Sequence, residues 1–149
     1  MNPISELKQE HIAIEREIFE LESIMEDEVI NYPNLVHTFR KFCELWNPHE
    51  RREEEVFLIM ERENIRVPTH MMTCEHKDIS GHIQNVKGAI NLGNDYEIKK
   101  SFVEDLRVVI DKVRSHMMQE DEVLYTLVLN EFTEEELDEM SKILEGKSE

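Results

Sequence analysis

The chain has 149 residues and carries 34 acidic against 17 basic side chains, a net charge of −17, which argues against nucleic acid and anionic membrane as partners. No apolar run approaches membrane-spanning length, and Met1-Asn2-Pro3-Ile4 lacks the basic-then-apolar pattern of a secretory signal. Cys43 and Cys74 form neither a C-x-x-C motif nor a disulfide framework, which fits a reduced, cytoplasmic setting.

Gly and Pro are scarce and helix formers are plentiful, so an all-α chain is expected, with residues 1–149 forming one domain. Asn2 and Pro3 make a good start for a first helix. Its apolar stripe is Ile4, Leu7, Ile14, Ile18, Leu21 and Met25, with His11 filling the gap at the three-four spacing. The turn Asn31-Tyr32-Pro33-Asn34 is expected to end it. A second helix carries Leu35, Phe39, Phe42, Trp46, Phe57 and Met60, and His49, Glu53 and Val56 complete the same stripe. Pro48 either kinks this helix or opens a second segment just ahead of His49. His37 falls off the stripe.

Residues 64–67 read as a loop, and Pro68 opens a third helix with Met72, Ile79, Ile83, Val86 and Ile90 inward and His76 among them. His70 and His82, six residues to either side of His76, do not share its face. Gly93 ends the helix as a left-handed cap. A fourth helix runs from about Asp95 to Asn130, with Phe102, Leu106, Val109, Val113, Leu124 and Leu127 inward and His116 and Glu120 between them. Thr133-Glu134-Glu135-Glu136 is a capping box. It starts a short helix over residues 134–145 that buries Leu137, Met140, Ile143 and Leu144, beyond which the end should fray. The pattern predicts an up-down-up-down four-helix bundle over residues 3–131, with the fifth helix against one end or side.

Each long helix thus places one histidine in its apolar seam: His11, His49, His76 and His116. Two of them add a carboxylate one turn on, Glu53 and Glu120, in the repeated form H-x-x-x-E. One such histidine is ordinary core packing. Four, with both carboxylates in register, call for a partner, because a buried ionised group is tolerated only when paired or bound to metal. Four imidazoles and two carboxylates exceed what one tetrahedral zinc needs. They suit two ions bridged by the carboxylates, iron foremost, with manganese or zinc as other occupants. Met71, Met117 and Met118 read as core filler near such a site.

The order H … H-x-x-x-E … H … H-x-x-x-E resembles the hemerythrin-like, or HHE cation-binding, domains over nearly the whole chain. The resemblance implies a non-haem di-iron centre in a four-helix bundle, with the two glutamates bridging and His11, His49, Glu53, His76, His116 and Glu120 as ligands. Where oxygen-carrying members have a further histidine, this chain has Ser80, and the resemblance of His49-Glu50-Arg51-Arg52-Glu53 to the H-E-x-x-E of the iron-sensing hemerythrin domain of a ubiquitin-ligase subunit implies Glu50 as the replacement ligand. The segment from His116 to Leu137 is similar to that domain as well. Asp121 stands where oxygen carriers place a bridging aspartate and competes with Glu120, as Glu54 does with Glu53. The ferritin-like signature E-x-x-H and the zinc-protease signature H-E-x-x-H do not fit the chain.

Three functions follow as expectations. The first is a binding or sensing protein for dioxygen, nitric oxide, peroxide or iron itself. The second is a di-iron oxidase or peroxidase. The third is an iron-responsive module for a protein partner whose identity the residues do not indicate.

Overall fold

A computed structural model describes residues 2–65 and 69–145, and every regular element among them is helical. Helix α1 spans Pro3–Glu26, with Asn2 Oδ1 accepting the Ile4 amide at 2.9 Å. Ile24, not Met25, closes its buried stripe. The tetrapeptide Asn31-Tyr32-Pro33-Asn34 does not end α1. The chain leaves that helix at Asp27, and the tetrapeptide starts α2 (Tyr32–Arg62), where Asn31 Oδ1 accepts the Asn34 amide at 3.2 Å. A proline in a first turn sacrifices no backbone bond, so Asn-Tyr-Pro serves better as a start than as a stop.

Pro48 lies inside α2 without interrupting it. It denies one backbone donor to the carbonyl of Glu44, and His49 to Glu53 continue on the same helix. Asn64, at φ 58°, turns the chain out of α2. The rest of the expected loop and the expected start at Pro68 lie in residues 66–68, outside the described residues. Helix α3 spans Thr69–Leu92 and ends at Gly93, which adopts φ 72° and donates its N–H to the Ala89 carbonyl at 3.3 Å.

The fourth helical stretch, α4, covers residues 95–131 and starts where Asn94 Oδ1 accepts the Glu97 amide at 2.8 Å. It is not one regular helix. Its α-helical parts, Asp95–Ser101, Arg107–Gln119 and Tyr125–Glu131, are joined by π-helical turns at Phe102–Leu106 and Glu120–Leu124. A π-turn adds one residue to the helix and moves everything after it to a different face. The buried residues beyond Glu120 are therefore Leu124, Tyr125 and Val128, while Leu127 is only partly covered and Val123 is exposed.

Helix α5 (Glu134–Glu145) begins at the expected capping box: Thr133 N–H donates to Glu136 Oε1 at 3.0 Å, and Glu136 N–H to Thr133 Oγ1 at 3.2 Å. Leu137, Met140 and Leu144 face inward, but Ser141 takes the place expected of Ile143, which is exposed. Residues 146–149, where fraying was expected, lie outside the described residues. Helix α5 packs on α1 and α2.

The helices bury two apolar clusters. The larger runs from Ile14 to Ile24 on α1, Leu35 to Trp46 on α2, Ile79 to Ile90 on α3 and Ile98 to Met117 on α4. The smaller gathers Ile4, Leu7, Val56, Met60, Met72, Leu124 and Val128 beneath α5. On every long helix the buried histidine, with its glutamate where there is one, falls where the two clusters meet. No helix among the described residues is long and apolar enough to cross a membrane.

Candidate metal centre

At the level where the apolar stripes break, α1 supplies His11, α2 His49 and Glu53, α3 His76, and α4 His116 and Glu120. All six side chains are buried, and both glutamates are 0 % exposed. The four imidazoles turn their Nε2 atoms inward in pairs, His11 to His49 at 3.0 Å and His76 to His116 at 2.9 Å. Glu120 spans the pairs: Oε1 lies 3.2 Å from His11 Nε2 and Oε2 lies 3.2 Å from His116 Nε2. Glu53 Oε1 lies 3.1 Å from His49 Nε2 and 3.7 Å from His76 Nε2. The donor atoms therefore form two sets of four, His11/His49/Glu53/Glu120 and Glu53/His76/His116/Glu120, each within 4.8 Å, with both carboxylates common to the two.

The outward Nδ1 atoms meet carboxylates. His49 faces Glu10 at 2.7 Å, His116 faces Glu75 at 2.7 Å, His11 faces Asp121 at 3.1 Å and His76 faces Glu54 at 3.3 Å. A carboxylate on the outer nitrogen fixes the ring and, once the inner nitrogen gives up its proton, directs that nitrogen's lone pair at the centre. Asp121 and Glu54 thus touch outer nitrogens in this structure, outside both four-donor sets. Glu50 is also outside those sets, with its oxygen 3.8 Å from His76 Nδ1, in a separate group with Glu54. Ser80, Met71 and Met118 are exposed and add nothing inside, and Met117 belongs to the larger apolar cluster.

The electrostatics are those of a site drawn tight around charge. Burial pushes Glu53 upward, but the charges of His49, His116 and His76 outweigh it and hold its carboxyl at about 2. Burial opposes the charge on His49, yet Glu53 and Glu10 raise it to about 9. His11 is lowered by burial and by the charge of His49. Burial, with the charges of Glu54 and Glu53, brings Glu50 up to about 7. Even so, Glu53 Oε1 and both oxygens of Glu120 are buried with only imidazole nitrogens at 3.1–3.2 Å beside them, at angles too poor for a proper hydrogen bond. Unsatisfied buried acceptors cost on the order of 1–3 kcal/mol each. Cations seated among these oxygens and the inward nitrogens would meet that need, so the residues present fit a metal pair.

Three participants escape a reading of stripes. Glu10 and Glu75 sit one residue before a seam histidine, so they fall off the buried face. Each reaches the histidine of the neighbouring helix, and the repeated pair Glu-His at 10–11 and 75–76 is the signal that marks them. Tyr125 is hidden by the second π-turn. Its hydroxyl lies 3.0 Å from Glu53 Oε2, to which it donates, and 3.0 Å from His11 Nε2. Trp46 closes the side of the centre toward the larger cluster, with its ring 5.7 to 6.4 Å from those of His76, His49 and His116. A surface groove of about 700 Å³ between α1 and α4, lined by Lys8, Phe19, Arg114 and Met118 among others, reaches His11 and Asp121.

A family model described as the hemerythrin HHE cation-binding domain matches residues 2–128. No curated protein and no solved structure matches the chain.

Proposed function

Because the chain belongs to the hemerythrin HHE cation-binding family, we propose that it is a non-haem di-iron protein that binds or senses dioxygen or a related small ligand, nitric oxide or peroxide. The observation that carries this reading is the pair of four-donor sets sharing Glu53 and Glu120. Mixed imidazole and carboxylate donors favour iron, and admit manganese or zinc, over magnesium or calcium. The short connections between consecutive long helices support an up-down-up-down arrangement. Two free cysteines support a reducing, cytoplasmic setting in which iron stays ferrous.

Ferrous ions held by His11, His49, Glu53, His76, His116 and Glu120 would supply electrons and a coordination position for a small ligand. The chain supplies the rest. Glu53 and Glu120 offset the positive charge of two ions in a water-poor interior. Glu10, Glu75, Asp121 and Glu54 hold the four rings in orientation. Trp46 excludes water on one side, and the groove at His11 sets the approach for small molecules.

A second reading, an iron-responsive module, is favoured by the acceptors left bare in the metal-free chain: metal binding and folding are then coupled. Catalytic turnover of peroxide with a reductant would instead mark an oxidase or peroxidase.

The test is metal analysis of protein purified without added metal, then stopped-flow mixing of the anaerobic ferrous form with dioxygen. The expected result is two irons per chain and a new near-ultraviolet charge-transfer band. Two bound irons with no spectral change on mixing would overturn ligand binding.

A further inference from the structure

We propose that Tyr125 makes the two metal positions unequal, so that the His76/His116 set fills first and the His11/His49 set second. The inference rests on the two-ion reading above. The two sets are otherwise close to alike: the inward nitrogens are 3.0 and 2.9 Å apart, and both sets use the same two carboxylates. Each also has an aromatic ring stacked on its α1 or α3 histidine. Phe57 lies on His76 with ring centres 6.4 Å apart and planes at 25°, and Tyr125 lies on His11 at 5.3 Å and 23°.

The difference between these two rings is one oxygen. Phe57 brings no polar atom to His76. Tyr125 brings a hydroxyl within 3.0 Å of both His11 Nε2 and Glu53 Oε2, in a position that is 0 % exposed. A phenol has a single proton to give. With that proton given to Glu53 Oε2, the hydroxyl oxygen can only accept from the Nε2–H form of His11, so an ion taking His11 Nε2 requires that proton to leave, ends this hydrogen bond and leaves the hydroxyl with Glu53 alone. Nothing equivalent must be displaced at His76 or His116 among the described contacts. The second step therefore carries an added cost, about threefold to tenfold in affinity if one hydrogen bond is at stake.

The π-turn makes this placement possible. Phe57 follows Glu53 by four residues on the regular helix α2, whereas Tyr125 follows Glu120 by five across Glu120–Leu124. Tyr125 is thus a positioning residue, acting on His11 and Glu53.

The experiment titrates the metal-free full chain with Co(II) by calorimetry, in the wild type and in Tyr125→Phe. The expected result is two ions per chain in both, a second-step affinity about threefold to tenfold higher in the variant, and a smaller change at the first step, where only the hydrogen bond to the shared Glu53 is lost. A residue that merely packs would move both steps together. The pair His76→Gln and His76→Gln/Tyr125→Phe reads the His11/His49 position alone and should show the same ratio, which guards against misfolding of one variant. Superimposable second steps, or a second step weakened by Tyr125→Phe, overturn the proposal while leaving the two-ion reading intact. Uptake of fewer than two ions by the wild type overturns that reading, and this inference with it.

Discussion

Set side by side, α1–α2 and α3–α4 spell the centre the same way. The odd helix carries Glu-His, at 10–11 and 75–76. The even helix carries H-x-x-x-E with a further acid behind it, Glu53-Glu54 and Glu120-Asp121. The outer contacts follow the same rule. Glu10 of α1 holds His49 of α2, and Glu75 of α3 holds His116 of α4. The trailing acids cross between halves, Glu54 to His76 and Asp121 to His11. From the histidine of the even helix onward, the halves part company past the glutamate, where α4 gains a residue and α2 does not. Position five after Glu53 is Leu58, 44 % exposed, and position five after Glu120 is Tyr125, 0 % exposed. The extra residue falls just after Glu120, so it changes what lies beyond the cluster while His116 and Glu120 stay one turn apart.

The largest effect expected from this comparison is that of the ions joining the halves. An ion at a thousand times its Kd stabilises the native chain by about 4 kcal/mol. Scanning calorimetry before and after a chelator should show a drop of many degrees in the midpoint. An unchanged midpoint would mean that the halves hold together without metal.

A smaller effect tests whether they are equivalent. Glu10→Gln and Glu75→Gln each remove the negative charge behind one histidine, and each should weaken metal binding about 10- to 100-fold, by equilibrium dialysis. A loss confined to one of them would break the parallel between α1–α2 and α3–α4. Smallest of all, Leu58→Ala should change the unfolding free energy read from urea titration by less than about 0.5 kcal/mol, as an exposed side chain does. A large loss there would show that α2 buries its fifth position as α4 does.

The convergence of six buried side chains and the helices bearing them were legible because buried charge at seam positions is improbable without a reason, and because regular helices keep their period. His11, His49, Glu53, His76, His116 and Glu120 do converge. Glu10 and Glu75 were not legible by the same method, since they stand off the stripe among 34 acidic side chains and act across to the adjacent helix. Tyr125 was missed for a different reason. Periodicity assumes a constant number of residues per turn, and that assumption fails between Glu120 and Leu124. The tetrapeptide at Asn31 misled because turn-forming and cap-forming residues are the same types, and only the backbone distinguishes Pro33 as the first turn of α2.

The span that matches the family stops at residue 128, yet the folded unit does not. Leu137, Met140 and Leu144 on α5 form the lid over Ile4, Leu7 and Met60, one layer away from His11, His49 and Glu53 on α1 and α2. Anyone trimming the chain to the matched span for grafting or fusion would strip that covering and bare a greasy floor directly beneath the histidines.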